Sequence, residues 1–221
     1  MAALPYDLVV FDCDGTLVDS QGAIVQTVQR AFAAEGLPVP GDDEVRERVG
    51  LSLHAFVADL VGELPPVRVE ALMQRYREEY VIDRDRRGAD PLFAGVRELL
   101  DALLERGALL GVATGKSRRG LDAVLDAHGL RPHFVTTQSA DDAPSKPHPA
   151  MVLQAIEEAG VTAARMVMVG DSVHDMGAGR AAGARAIGVS WGSHPVDRLR
   201  VTGAEKVVDD VATLARALGV E

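Results

Sequence analysis

The chain has 221 residues, is 47% hydrophobic with 4% aromatic residues, and carries a formal charge of −10. That length and apolar share suffice for one large or two smaller packed domains, and the negative balance argues against nucleic acid or an anionic membrane as partner. One cysteine, Cys13, excludes a disulfide framework within the chain, and no segment reaches transmembrane length. The N-terminal MAALPYD has no basic region followed by an apolar stretch, so the expectation is a soluble cytoplasmic protein. An enzyme of this charge acting on anions must gather positive charge locally, through a metal or a few placed basic groups.

The first predicted strand is the apolar run Leu8 to Phe11, stopped by Gly15 and Thr16. Asp12 and Asp14 therefore sit where the chain leaves the sheet. Strand alternation gives both carboxylates one side and sends Cys13, read as a small buried filler, to the other. Two like charges held this close resist ionising together, so the pair needs a cation, a shared proton or a protonated partner.

From Gln21 to Arg87 the pattern is helical and rich in charge. Ile24, Val28, Ala31 and Phe32 recur at helical spacing, as do Leu53, Phe56, Val57 and Leu60; Leu72, Arg75, Tyr76 and Glu79 continue a long helix. Gly36, Pro38 and Pro40, then Pro65 and Pro66, punctuate these helices. No convincing strand falls here, so the expectation is an all-helical insertion over 20–87, with 1–19 and 88–221 forming the other domain.

After Pro91 helices and strands alternate. Val96, Leu99, Leu100, Leu103 and Leu104 make one helix face, Ala108 to Ala113 a strand, and Leu121, Val124, Leu125 and His128 another helix face. Phe134 to Thr136 reads as a strand, and Val152, Ala155, Ile156 and Ala159 mark a helix. Met166 to Val169 and Ala186 to Val189 read as buried strands flanking a helix at Val173 to Ala182; a strand at Lys206 to Val208 and a helix at Val211 to Leu218 close the chain. This alternation implies an α/β fold, a Rossmann-like, doubly wound parallel sheet covered by helices on both faces.

Polar residues suited to chemistry stand at or beyond the strand ends: Asp12 and Asp14, Thr114 in GVATGKS, Lys146 in SKPHP, and Asp171 with Asp175 in GDSVHDM. Open α/β sheets bind ligands at the carboxyl ends of their strands, where the strand order reverses. With the first strand central, all these groups meet in one crevice, and Lys146 offsets the carboxylates. Taken singly, Thr114 and Gly115 fit a strand end and turn, Lys146 a loop cation, and Asp171 with Ser172 a helix cap. Their occurrence together and in order favours a site.

The combination resembles the haloacid dehalogenase superfamily over nearly the whole chain. FDCDGTLVDS matches its first motif, Thr114 its second, Lys146 its third and GDSVHDM its fourth, and MGAGRAAGARAIGV resembles the usual continuation. The insertion after the first motif resembles the four-helix cap of the phosphoglycolate phosphatase-like subgroup. The resemblance implies that Asp12 is a nucleophile giving an aspartyl-phosphate, and that Asp14 protonates the leaving oxygen and then activates water. It implies a Mg²⁺ held by Asp12, the backbone carbonyl of Asp14 and Asp171. Thr114, the amide of Gly115 and Lys146 would bind the phosphoryl group, and Asp175 would orient Lys146 or a metal-bound water.

The same resemblance separates the chemistries. Dehalogenases usually carry an aromatic residue where Asp14 stands, so Asp14 points to an oxygen leaving group. Phosphonate-cleaving relatives use a cap lysine, and lysine occurs only at 116, 146 and 206. Mutases of the β-phosphoglucomutase type tend to carry DGV where this chain has DGT. The expected function is a Mg²⁺-dependent phosphatase of a small phosphorylated metabolite, acting as a monomer or homodimer. A sugar-phosphate mutase, an inorganic pyrophosphatase and a non-catalytic phospholigand-binding module remain alternatives. Substrate choice would fall to the cap, with Arg46, Arg48, Ser52 and His54 as candidate contacts. His148 and His174 would border the entrance, and no histidine spacing fits a zinc site.

Overall fold

Strand β1 (Leu8–Phe11) is buried at all four positions, as a strand covered on both faces must be. In this computed structural model, which describes residues 3–220, β1 pairs in parallel with β2 (Leu109–Ala113) and β4 (Met166–Gly170). Strand β3 (Thr136–Gln138) lies beyond β2, and β5 (Arg185–Val189) and β6 (Lys206–Val208) lie beyond β4, giving the order β3-β2-β1-β4-β5-β6. The order reverses at β1, so the carboxyl ends of β1, β2 and β4 frame the crevice expected of such sheets.

The two-residue period of β1 divides the core. Leu8 and Val10 pack with Met151, Val152 and Ala155, whereas Val9 and Phe11 pack with Leu99, Leu100 and Leu121. Cys13 continues the Val9 and Phe11 face and is buried in the same cluster. Helices α5 (Val96–Glu105), α6 (Arg118–Ala127) and α10 (Val211–Leu218) cover that face; α7 (Ala150–Ala159) and α8 (Val173–Ala181) cover the other.

Between β1 and α5 lie four helices, α1 (Gln21–Ala34), α2 (Asp42–Arg46), α3 (Leu53–Val61) and α4 (Pro66–Arg87). They share their own core, including Val28, Phe32, Val45, Phe56, Leu72 and Met73. Ser52 caps α3 by accepting from the Ala55 amide, and Pro66 opens α4 where its missing N–H costs nothing. The chain leaves and re-enters the sheet domain side by side: Asp19 N–H donates to the Pro91 carbonyl at 2.8 Å and Phe93 N–H to the Leu17 carbonyl at 3.0 Å. No helix among the described residues is long and apolar enough to cross a membrane.

Two elements depart from the sequence reading. The strand expected at Phe134 to Thr136 lies at Thr136–Gln138, preceded by a 3₁₀ turn at Arg131–His133. Pro132 sets that turn, Phe134 reaches the core from the loop after it, and Val135 is exposed. The polar TTQ segment serves as strand because β3 is at the sheet edge. A helix that the reading omitted, α9 (Val196–Thr202), follows Pro195 and buries only Leu199, against Met176 and Ala186.

Candidate active site

At the end of β1 the side chain of Asp12 is fully buried, and Lys146 comes to it from the loop before α7. Lys146 Nζ donates to Asp12 Oδ1 at 2.9 Å, to Asp175 Oδ1 at 2.5 Å and to the Ala113 carbonyl at 3.0 Å, so all three of its donors are used. Its relative exposure is 0%, as is that of Asp12 and Asp175. Burial works against the ammonium, but Asp12 and Asp175 outweigh it and hold its pKa above the ordinary value.

Asp175 is fixed by the start of its own helix. Its Oδ2 accepts from Ser172 N–H at 3.0 Å and Ser172 Oγ at 2.6 Å, while Ser172 Oγ accepts from the Asp175 amide in return. Both carboxylate oxygens are thus engaged, leaving Asp175 to position Lys146. Asp171, at the end of β4, accepts from Thr16 Oγ1 at 2.9 Å and from Ser193 N–H at 2.7 Å. Gly15 must be glycine here: its φ is +82°, and a Cβ would stand 2.4 Å from Asp171 Oδ2.

Asp12, Asp171 and Asp175 each present an oxygen within 4.8 Å of the others, all buried. Asp12 Oδ2 is buried without a hydrogen-bond partner. Burial raises the pKa of Asp12 well above its ordinary value and that of Asp171 to about 6. Lys146 supplies one positive charge for three carboxylates, so the cluster fits a hard divalent cation bound through oxygen, with Asp12 Oδ2 as the unengaged donor.

Asp14 faces a second ammonium. Lys116 Nζ lies 2.9 Å from Asp14 Oδ1, which also accepts from Ser20 Oγ at 2.6 Å. Ser20 occupies the N-cap position of α1 but makes no side-chain cap bond, so its hydroxyl serves Asp14. Burial again opposes the Lys116 charge, and Asp14 foremost among its neighbours holds the pKa well above normal. Lys116 Nζ also donates to Tyr80 Oη at 3.3 Å and sits 5.1 Å from the centre of that ring, joining the sheet domain to α4. Lys116 and Tyr80 escaped the sequence reading. Two positions after Thr114, Lys116 looks like any loop cation, and only the fold reveals its burial.

Thr114 is buried at the end of β2, where its Oγ1 accepts from Lys116 N–H at 3.2 Å. A Cβ on Gly115 would lie 2.3 Å from the Leu51 carbonyl oxygen, so glycine lets the loop before α3 close against the loop after β2. Ser52 N–H donates to Ser145 Oγ at 2.8 Å, tying that loop to the residue preceding Lys146. The Glu47 carbonyl accepts from His194 Nε2 at 3.0 Å; the ring tautomer follows from Val173 N–H donating to Nδ1.

These contacts enclose a cavity of about 500 Å³ between α1, α3 and α4 and the sheet domain, bordered by Asp14, Ser52, His54, Gly115 and Lys116. Two of the expected contacts lie away from it. Arg46 and Arg48 do not line it, and the Arg48 guanidinium is held by Asp59 Oδ2 on α3 at 2.6 Å and the Glu44 carbonyl at 2.7 Å. His54 is exposed at the rim, and His148 lies in the loop before α7, where its Nδ1 accepts from the Ala150 amide. His174 stacks edge-on against His194 outside this cavity, its pKa lowered to about 4 by burial.

Residues 9–189 match the family model described as haloacid dehalogenase-like hydrolase. The chain belongs to that family. It is 32% identical over 216 residues to the phosphoglycolate phosphatase of Agrobacterium fabrum, covering 96% of this chain and 91% of the relative. It is 32% identical over 210 residues to the N-acetylmuramic acid 6-phosphate phosphatase of Pseudomonas aeruginosa, covering 91% and 89%. A crystal structure of a hydrolase from Pseudomonas syringae superposes with a TM-score of 0.87 at 26% identity, covering 97% of this chain and 98% of that one. Both of these curated relatives are phosphatases by name.

Proposed function

We propose that the protein hydrolyses a small phosphomonoester in two steps through a phosphorylated Asp12, acting in the cytoplasm without nucleic acid or membrane partners. The observation that carries the reading is the Asp12 carboxylate, fully buried, with Lys146 on Oδ1 and nothing on Oδ2. A carboxylate held so for structure alone would have both oxygens satisfied.

In the first step Asp12 attacks phosphorus, an Asp12–phosphorus bond forms, the bond to the ester oxygen breaks, and Asp14 gives that oxygen its proton. Ser20 and Lys116 hold Asp14 in place. Thr114 Oγ1 and the Gly115 amide would hydrogen-bond the phosphoryl oxygens, and Lys146 balances charge on Asp12. In the second step Asp14 takes a proton from water, which attacks phosphorus and frees Asp12 with release of phosphate. Mg²⁺ held by Asp12, Asp171 and the Asp14 carbonyl would supply the positive charge that lets an anion approach an anion.

The test is hydrolysis of p-nitrophenyl phosphate with and without Mg²⁺, by the parent and by Asp12→Asn. The expectation is metal-dependent turnover lost in the variant. No metal-dependent turnover by the parent would favour a non-catalytic phospholigand-binding module. Transfer between sugar positions without net phosphate release would favour a mutase.

A further inference from the structure

We propose, resting on the metal-dependent reading above, that His194 is a positioning residue that couples a cation at Asp171 to closure of the helical insertion over the site. The segment from Trp191 to His194, between β5 and α9, is pressed against Asp171: a Cβ on Gly192 would stand 2.0 Å from the Asp171 Cβ, so only glycine lets the backbone come that close. Two consecutive amides of the segment then hold Asp171 at both ends, Ser193 N–H donating to Oδ2 at 2.7 Å and His194 N–H to the backbone carbonyl at 3.2 Å. Whatever fixes the Asp171 carboxylate therefore fixes the backbone that carries His194.

From that backbone the His194 ring reaches the insertion. It is buried, and its two nitrogens bind different parts of the molecule: Nδ1 accepts from Val173 N–H at 3.1 Å, at the start of α8, and Nε2 donates to the Glu47 carbonyl at 3.0 Å, directly after α2. Beyond Glu47, Gly50 takes a φ of +98° where a Cβ would stand 2.9 Å from Ser172 Oγ, and Leu51 and Ser52 reach Gly115 and Ser145. The Glu47 bond thus anchors the upstream end of the stretch 47–52, whose other contacts roof the site. With a cation on Asp171, ring and carbonyl stay in register and the stretch stays seated; with the carboxylate free to turn, the Ser193 bond loosens and the ring with it. The second link at this point, Arg198 to Glu47 Oε1 at 2.9 Å, is half-exposed on both sides and adds little.

The test is hydrogen exchange, read by mass spectrometry on the peptide covering 47–52, in the metal-free protein and at a Mg²⁺ concentration that saturates the metal's shift in Tm. In the parent, Mg²⁺ should slow exchange there about fivefold or more. His194→Ala should keep the Tm shift and lose the slowing; His194→Phe, which fills the space of the ring without its hydrogen bonds, provides the same test should the first variant fail to fold. His194→Gln, with a donor where Nε2 stands, should regain most of the slowing, and Arg198→Ala should match the parent. Exchange slowed equally in the parent and in a folded His194→Ala or His194→Phe overturns the inference and leaves the metal reading standing, as does a parent whose Tm responds to Mg²⁺ while exchange at 47–52 does not. A parent whose Tm is indifferent to Mg²⁺ overturns the metal reading, and the inference with it.

Discussion

Lys116 Nζ stands 2.9 Å from Asp14 Oδ1 and 3.3 Å from Tyr80 Oη, so one buried ammonium links the proposed acid–base group to the helical insertion. Lys116→Met leaves Asp14 with Ser20 alone and frees α4 from the loop after β2. The variant should lose about tenfold or more in kcat, while Tyr80→Phe, which keeps the ring over the ammonium, should lose far less. Steady-state kinetics on p-nitrophenyl phosphate decide it. Equal losses would assign Lys116 to closure alone.

Lys146 holds Asp12 and Asp175 together where all three are shut off from solvent. Lys146→Met strands two buried carboxylates and should cost about 3–5 kcal/mol of stability as well as abolish turnover. Urea unfolding of the metal-free protein measures the first and phosphate release the second. A variant as stable as the parent would mean that water reaches this cluster freely.

Burial lifts the Asp171 pKa to about 6 from the ordinary 3.8 and raises Asp12 as well. Between about pH 4 and 6 the folded metal-free chain therefore binds protons that the unfolded chain has released, so its stability falls as pH rises through that window. Mg²⁺ needs these carboxylates ionised. Its effect on Tm should be small near pH 4 and grow toward pH 7, as differential scanning fluorimetry would record. A shift independent of pH would place metal binding elsewhere.

Gly115→Ala sets a methyl group against the Leu51 carbonyl oxygen, 2.3 Å from where its Cβ would stand. Backbone on both sides must move, so the loop before α3 should close less completely, raising KM about tenfold with a smaller effect on Tm. Kinetics beside a thermal melt separate the two, and an unchanged KM would show that the loops part during turnover.

Much of the arrangement was legible in the chain. The alternation Val9, Phe11, Cys13 against Leu8 and Val10 places the two aspartates at the strand end, and the cluster of Asp12, Lys146, Asp171 and Asp175 follows from strands that each end in a polar residue. What stayed hidden depends on neighbours distant in sequence. Lys116 gains its role from a tyrosine on α4, Arg48 spends its charge on Asp59, and the TTQ strand is polar because the sheet ends there. Helix α9 buries a single leucine, too little to leave a periodic signal.

The most direct measurement is mass analysis of the acid-quenched enzyme during turnover with Mg²⁺ and acetyl phosphate, using Asp14→Asn to slow breakdown of the intermediate. The account predicts the mass of one phosphoryl group on the peptide containing Asp12, absent from Asp12→Asn. Turnover by the parent with no such adduct in either protein, or an adduct that survives in Asp12→Asn, would contradict it.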